Sequence, residues 1–142
     1  MDSPEVELSI PCAAEYVGVA RLVVLGVASR MSFCYDEVED LRQAVGEACT
    51  SAIERAQATN QPDARITIRC VMEQDKRLTI EIADSVLGFN SRGRATLAGP
   101  DTDEYNISAL LMEILVDEIK AESKPEEGTT VTMVKYVGRR TQ

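Results

Sequence analysis

Three polar side chains in the middle of the chain have the types and the spacing needed for chemistry on a phosphate or a hydroxyl. Glu47, Ser51 and Glu54 are separated by four and three residues, so in a helix their side chains project from one face. A carboxylate with a small polar group one turn later can hold a metal-bound phosphate or orient a hydroxyl. Solvated surface helices show the same spacing, so spacing alone leaves both interpretations open.

The element that must position these residues is a long helix over residues 36–58. We expect Asp36 to be its N-cap, because Glu39 follows three residues later as in a capping box. Apolar residues recur in steps of three and four, which predicts one continuous buried face. That face comprises Val38, Leu41, Val45, Ala48, Ala52 and Ala56.

Composition indicates one globular domain spanning residues 1–142. The net charge of −9 argues against binding to nucleic acid or an anionic membrane, because both would be repelled. The chain has no histidine, which excludes Cys/His zinc sites and Ser-His or Cys-His nucleophile pairs. Its four cysteines are widely spaced, so we expect interior thiols in a reduced, cytoplasmic protein. We expect no signal peptide and no transmembrane segment.

Hydrophobic periodicity predicts the element order β-α-α-β-β-loop-α-β-β. Residues 66–70 and 78–82 alternate around a polar turn, which predicts a hairpin. Residues 84–103 contain three glycines and a proline without periodicity, as is typical of a lid or binding loop. A third helix over 104–116 is expected to bury Ile107, Leu110, Leu111 and Ile114. Because strands cluster, we expect an α+β fold with a mixed, mainly antiparallel sheet and helices on one face.

The segment E-A-C-T-S-A-I-E-R-A, residues 47–56, resembles the helix that carries the N box of the GHKL ATPases. Upstream, E-Y-V-G-V-A-R-L-V-V-L-G-V-A-S-R-M and Y-D-E-V-E-D-L-R-Q-A-V resemble the anti-sigma-B branch of the anti-sigma factors that are also serine-protein kinases. The likeness runs from Ile10 to Ala56 and returns in L-L-M-E-I-L-V-D-E-I and G-T-T-V-T-M-V-K-Y. The fold it implies, a two-layer α/β sandwich of the histidine kinase-like ATPase type, agrees with the element order.

The resemblance implies a regulatory protein that works by partner switching. Such a protein sequesters a sigma factor and uses ATP with Mg²⁺ to phosphorylate a serine of an anti-anti-sigma antagonist. It also implies a homodimer, and we expect its surface to be the apolar side of the first helix, around Val17, Arg21 and Leu25.

The resemblance also assigns site residues by position. Glu47 matches the catalytic glutamate that polarises the attacking hydroxyl, and Ser51 takes the place of the asparagine that ligates Mg²⁺. Asp84 matches the aspartate that accepts a hydrogen bond from the adenine amino group. Gly88 matches the second glycine of a D-x-G-x-G turn, and Thr129 matches the threonine that supports the adenine site.

Three parts of the implied ATP site depart from the family pattern. The N-box asparagine is Ser51, and Val86 stands where the first glycine belongs. A β-branched residue is poorly suited to a backbone position that needs a positive φ. Residues 105–109 contain none of the glycines that cradle phosphates in the family. Two interpretations follow: a kinase-type anti-sigma factor with an unusual ATP site, or a catalytically inactive binding module that no longer uses ATP.

Overall fold

The structure, a computed structural model, describes residues 3–92 and 107–138. The helices in these residues are α1 (Val17–Ser29), α2 (Tyr35–Ala58) and α3 (Ile107–Leu115), with a short 3₁₀ turn at Ala14–Tyr16 before α1. The strands are β1 (Glu5–Pro11), β2 (Arg65–Glu73), β3 (Arg77–Asp84), β4 (Ser91–Arg92), β5 (Glu118–Lys124) and β6 (Gly128–Tyr136). None of the helices in this part of the chain is long and apolar enough to cross a membrane.

The strands form one sheet in the order β1-β2-β3-β6-β5-β4, and every neighbouring pair is antiparallel. The predicted hairpin is β2–β3, and the predicted strands on either side of the turn before β6 are β5 and β6. Strand β4 was not predicted, because two residues are too short to show alternation. The α+β class and the mainly antiparallel sheet are therefore confirmed.

One face of the sheet is apolar and lies under the helices. Register places Ile68 opposite Ile82, and Ile82 opposite Val131, and all three are buried. These residues share a single core cluster with residues of α1, α2 and α3. The strand residues that alternate with them, such as Thr67 and Glu81, are partly exposed. Because side chains alternate between the faces of a strand, the helices lie on one face, as predicted.

Helix α2 is buried along its whole predicted apolar face, since Val38, Leu41, Val45, Ala48, Ala52 and Ala56 are each at most 7% exposed. Burial extends further than expected. Helix α2 contacts α1, α3, β3 and β6, so its second half also buries Ser51 and Arg55, at 2% and 3% exposure. The interpretation of this side as an ordinary solvated face is therefore wrong at both residues, whereas Glu54 is exposed.

The predicted N-cap of α2 is wrong by two residues. The helix begins at Tyr35 with Cys34 as N-cap, and the Cys34 backbone N–H donates to Glu37 Oε1 at 2.8 Å. This is the carboxylate half of a capping box, with the glutamate three residues after the cap. Pattern reasoning missed it because cysteine is not among the usual N-cap residues, which supply a side-chain oxygen.

The predicted inward face of α3 is wrong at Ile107 and Ile114, whereas Leu110 and Leu111 are partly buried. Ile107 and Ile114 are 61% and 67% exposed, whereas Ala109, Met112 and Leu115 are buried. This helix is apolar on nearly every side, so periodicity could not select the face that packs on α2. The expected cap and the first residues of the helix, 101–106, lie outside the described residues.

A change at the start of β6 tests how tightly this region is packed. Gly128 has φ +114°, and a Cβ there would lie 1.9 Å from the Asp84 carbonyl oxygen. We expect Gly128→Ala to lower the free energy of unfolding by about 3 kcal/mol through backbone strain and overpacking. Urea unfolding followed by circular dichroism measures it.

Gly18→Ala in α1 is the matched control. Apart from the backbone of its own helix, nothing in the described residues lies within 4 Å of its Cβ position, so we expect a gain of about 0.5–1 kcal/mol. Equal midpoints for the two variants would contradict the close approach of Gly128 to Asp84.

Candidate functional site

Asp84 ends β3 at a point where three elements meet. Its Oδ1 accepts hydrogen bonds from the backbone N–H groups of Val86, at 3.0 Å, and Thr129, at 3.2 Å. Its Oδ2 accepts one from Arg55 Nη2 of α2 at 2.7 Å. The chain after β3, the start of β6 and the second half of α2 therefore all hold this one carboxylate.

The Asp84–Arg55 ion pair is almost completely removed from water. The side chains of Arg55 and Asp84 are 4% and 3% exposed, and Arg55 Nε and Nη1 find no acceptor among the described residues. Taking both charges from water is costly, and each unsatisfied donor adds to that cost. Sequence reasoning did not find this pair. The available signal was that Arg55 follows Ser51 by four residues and so shares its side of α2.

Thr129 donates its backbone N–H to Asp84, and Gly88 follows Asp84 by four residues. Thr129 is fully buried, and its hydroxyl lies 2.5 Å from the Ser123 hydroxyl of β5. Gly88 has φ +98°, and its N–H donates to the Pro125 carbonyl at 3.0 Å. This bond connects the segment after Asp84 to the turn that leads into β6, so both residues belong to one structural unit.

Val86 does not strain the chain as its β-branched side chain suggested. Among the described non-glycine residues, only Asn60 and Asp75 have a positive φ. Val86 is fully buried and packs in a small cluster with Ala56 and Ala64. The backbone conformation at this position therefore does not require glycine. The buried valine side chain instead packs the segment after Asp84 against Ala56 and Ala64.

Glu47 lies on α2 opposite the start of α3. It is partly buried, and the Ser108 hydroxyl donates a hydrogen bond to its Oε1. Ser51 is one helical turn further along α2. The structure thus brings Glu47 beside a serine hydroxyl, but Glu54 is exposed and does not share the buried environment of Ser51. Most of the predicted lid, residues 93–103, lies outside the described residues.

The residues around Glu47 suit a metal that arrives with phosphate. The described residues contain no cluster of three or more His, Cys, Asp or Glu side chains that could hold a metal by itself. Mg²⁺ usually keeps several waters and binds one or two carboxylates together with substrate phosphates. The partly exposed Glu47 carboxylate is compatible with that mode, in which the phosphates supply most other ligands, whereas Ser51, one turn away, is buried at 2% exposure.

All four cysteines are free thiols: Cys49 and Cys70 are buried, and Cys12 and Cys34 are partly buried. Burial raises the pKa of Cys49 to about 12. The pKa of Cys12 is raised to about 11, first by burial and then by the negative charge of Asp84, while Arg55 acts in the opposite direction. The Cys12 thiol therefore senses the charges of the Asp84–Arg55 pair.

These features define a class of protein. The model of the family described as "Histidine kinase-like ATPase domain" matches residues 10–135, which is most of the chain. The matched region contains every site residue described above. The fold is thus that of a histidine kinase-like ATPase domain, and the chain belongs to that family.

The chain belongs, more narrowly, to the family of the serine-protein kinase RsbW. It is 36% identical to RsbW of Bacillus pumilus, with 94% of this chain and 86% of the relative covered. It is 38% identical to RsbW of Bacillus velezensis, with 93% and 85% covered, and 37% identical to RsbW of Bacillus subtilis over the same shares. These relatives are described as kinases, so the comparisons favour the kinase interpretation over the inactive module.

A solved structure supports the fold independently. The crystal structure of the RsbU and RsbW domains of Rv1364c from Mycobacterium tuberculosis superposes with a TM-score of 0.70 at 15% identity. It covers 99% of this chain, and this chain spans about a third (34%) of that longer chain. At this identity the likeness establishes the fold and nothing finer.

The position of Cys12 beside the ion pair gives a direct test of the site. With a pKa of about 11, about one thiol in a thousand is ionised at pH 8, so we expect slow alkylation that accelerates about tenfold per pH unit. Asp84→Asn removes a charge that raises this pKa, and we expect faster labelling at pH 8. Iodoacetamide labelling followed by peptide mass spectrometry measures the rate.

Glu126→Gln, on the exposed β5–β6 turn, is the control for the loss of one negative charge. It should leave the labelling rate of Cys12 unchanged. An Asp84→Asn variant that reacts no faster than wild type would place Cys12 outside the influence of this carboxylate.

Proposed function

We propose that the chain is an anti-sigma regulatory factor. It sequesters a sigma factor and phosphorylates a serine of an anti-anti-sigma antagonist. The observation that carries this proposal is that the Glu47 carboxylate accepts a hydrogen bond from a serine hydroxyl, that of Ser108 in the same chain, because this is the contact that a substrate serine would have to make. Membership of the RsbW family supplies the reaction class.

Glu47 is the proposed catalytic residue. Its carboxylate accepts a hydrogen bond from the attacking serine hydroxyl and takes up the proton as the oxygen attacks phosphorus. Partial burial on α2 holds the side chain in place, and phosphoryl transfer needs mainly positioning and charge stabilisation. When bound, ATP would donate its γ-phosphoryl group and leave as ADP, and Mg²⁺ would neutralise charge on the phosphates.

We propose that the base of ATP lies at Asp84 and Thr129 and that Ser51 contributes to the Mg²⁺ site. The backbone N–H groups of Val86 and Thr129 fix the direction of the Asp84 carboxylate, as recognition of an exocyclic amino group requires. Gly88 holds the segment beyond Asp84 against the β5–β6 turn. The Ser51 hydroxyl, shorter than an asparagine amide, reaches the metal directly or through a water.

We propose that the protein acts in the cytoplasm as a homodimer that forms through α1. The residues expected at the dimer surface face the protein itself: Val17 is buried at 8% exposure, Leu25 packs against the core, and the Arg21 guanidinium lies over Gly46 of α2. The apolar side chains that α1 exposes are Val19 and Leu22, at 41% and 64%. An exposed apolar stripe of this kind suits an interface with a second copy.

Removing the Glu47 carboxylate tests the proposed catalytic role. We expect Glu47→Ala to reduce phosphorylation of an antagonist encoded beside this protein by about a hundredfold or more, because general-base orientation is lost. Binding of the sigma factor should persist. Transfer of labelled phosphate from ATP measures the first, and co-purification with the sigma factor measures the second.

Glu54→Ala removes a carboxylate from an exposed position on the same helix and should leave both activities intact. If Glu47→Ala abolished sigma binding as well, Glu47 would be needed for the fold instead of the reaction.

The dimer surface has its own test. We expect Leu22→Asp to give a monomer in size-exclusion chromatography with light scattering, because a charge would be buried in the interface. Ile114→Asp changes a similarly exposed apolar residue of α3 and should remain dimeric. A dimeric Leu22→Asp variant would move the interface away from this stripe.

A further inference from the structure

We propose that Arg55 is an internal competitor of the nucleotide base, so that ATP binds only by displacing its guanidinium from Asp84. This inference rests on the proposed function, which assigns the base of ATP to Asp84. It makes Arg55 a residue that sets the affinity and the base specificity of the site.

A donor from this chain already occupies Oδ2 of Asp84. Arg55 Nη2 lies 2.7 Å from Asp84 Oδ2, while both donors on Oδ1 are backbone N–H groups that cannot leave without moving the strand or the loop. Asp84 keeps only 3% of its side chain exposed. No ligand can therefore reach Oδ2 while the guanidinium stays in place, and Arg55 is the one donor of the three that can swing away.

The Arg55 guanidinium and the amino group of adenine are chemically alike as hydrogen-bond donors. A guanidinium NH₂ and the amino group of adenine are both planar nitrogens that donate to a carboxylate in its plane. Arg55 thus satisfies Asp84 in the way an adenine amino group would. A base without that amino group, such as hypoxanthine, has an acceptor at the same position and cannot replace Arg55 on the carboxylate.

Within the described residues, the Arg55 side chain leaves two hydrogen-bond donors unused while it is paired with Asp84. Arg55 Nε and Nη1 are buried without an acceptor among the described residues. Unpaired buried donors are unfavourable, and the ion pair has already lost the hydration of both charges. A guanidinium that moved out to water would regain hydration at all five of its N–H groups, which makes the exchange with a base feasible.

The surroundings of Asp84 do not depend on Arg55. Val86 is held by packing on Ala56 and Ala64, and Leu87 exchanges two hydrogen bonds with the Gln61 side chain, at 2.8 and 2.9 Å. Gly88 is held by the Pro125 carbonyl. The segment after Asp84 therefore keeps its position when Arg55 leaves, and the space that the guanidinium leaves is the space that the base would enter.

The test is calorimetric titration of wild type, Arg55→Ala and Arg65→Ala with ATP and with inosine triphosphate, in the presence of Mg²⁺. We expect Arg55→Ala to bind ATP at least tenfold more tightly than wild type, with a smaller gain for inosine triphosphate. Arg65 is exposed and its guanidinium contacts the Ser9 hydroxyl, so Arg65→Ala loses the same charge outside the site and should match wild type.

Two further variants provide a substitute for Arg55→Ala and a test of the role of Asp84. Arg55→Gln keeps the stem and a neutral donor, so it should bind ATP with intermediate affinity and serves if Arg55→Ala does not fold, as judged by circular dichroism. In the double variant Arg55→Ala with Asp84→Asn, the preference for ATP over inosine triphosphate should disappear.

Each other outcome overturns the inference. If wild type binds ATP tightly and Arg55→Ala binds it no better, the competition is absent but the proposed use of ATP stands. If wild type prefers inosine triphosphate, Arg55 stays in the pocket and recognises an acceptor on the base. If no folded variant binds either nucleotide, both this inference and the proposed kinase activity are wrong.

Discussion

The structure depends on the burial of α2 between the sheet and the other two helices. One side of this helix carries the aliphatic stripe that packs on β3 and β6, and neighbouring helices cover most of the rest. Polar residues on the second half of α2 therefore lie in the protein interior, where an unpaired charge is strongly unfavourable. Ser51 and Arg55 are buried by this constraint, whereas Thr50, Glu54 and Gln57 lie on the side of α2 that faces solvent.

The same constraint explains why Asp84 and Arg55 are found together. A carboxylate at the end of β3 and a guanidinium on α2 are each too costly to bury alone, and pairing offsets part of that cost. Backbone donors from Val86 and Thr129 then fix the carboxylate, which is the arrangement that a recognition site for a base requires. One set of contacts thus closes the core and holds the carboxylate to which we assign the base of ATP, so the proposed affinity for ATP depends on a structural ion pair.

The folded chain accommodates two of the departures from the family pattern. Val86 fills a small apolar cluster under the segment that follows Asp84, and no positive φ is imposed on it. Ser108 occupies a position expected to be glycine, and its hydroxyl binds the proposed catalytic carboxylate. Both substitutions are accommodated by contacts within the chain, which is consistent with membership of a kinase family whose relatives match at 36–38% identity.

The sequence by itself determined the order of the elements apart from β4, the hairpin, the buried stripe of α2 and the family, because periodicity and long motifs are local properties. It could not determine which side of α3 faces inward, since that helix is apolar on nearly every side and both choices satisfy the pattern. It also could not reveal the Asp84–Arg55 pair, whose members are 29 residues apart and meet only when β3 packs against α2. Ser108 and Glu47 are likewise joined across 61 residues. Local patterns determine whether each segment forms a helix or a strand. Only tertiary packing determines which charged side chains are buried next to one another.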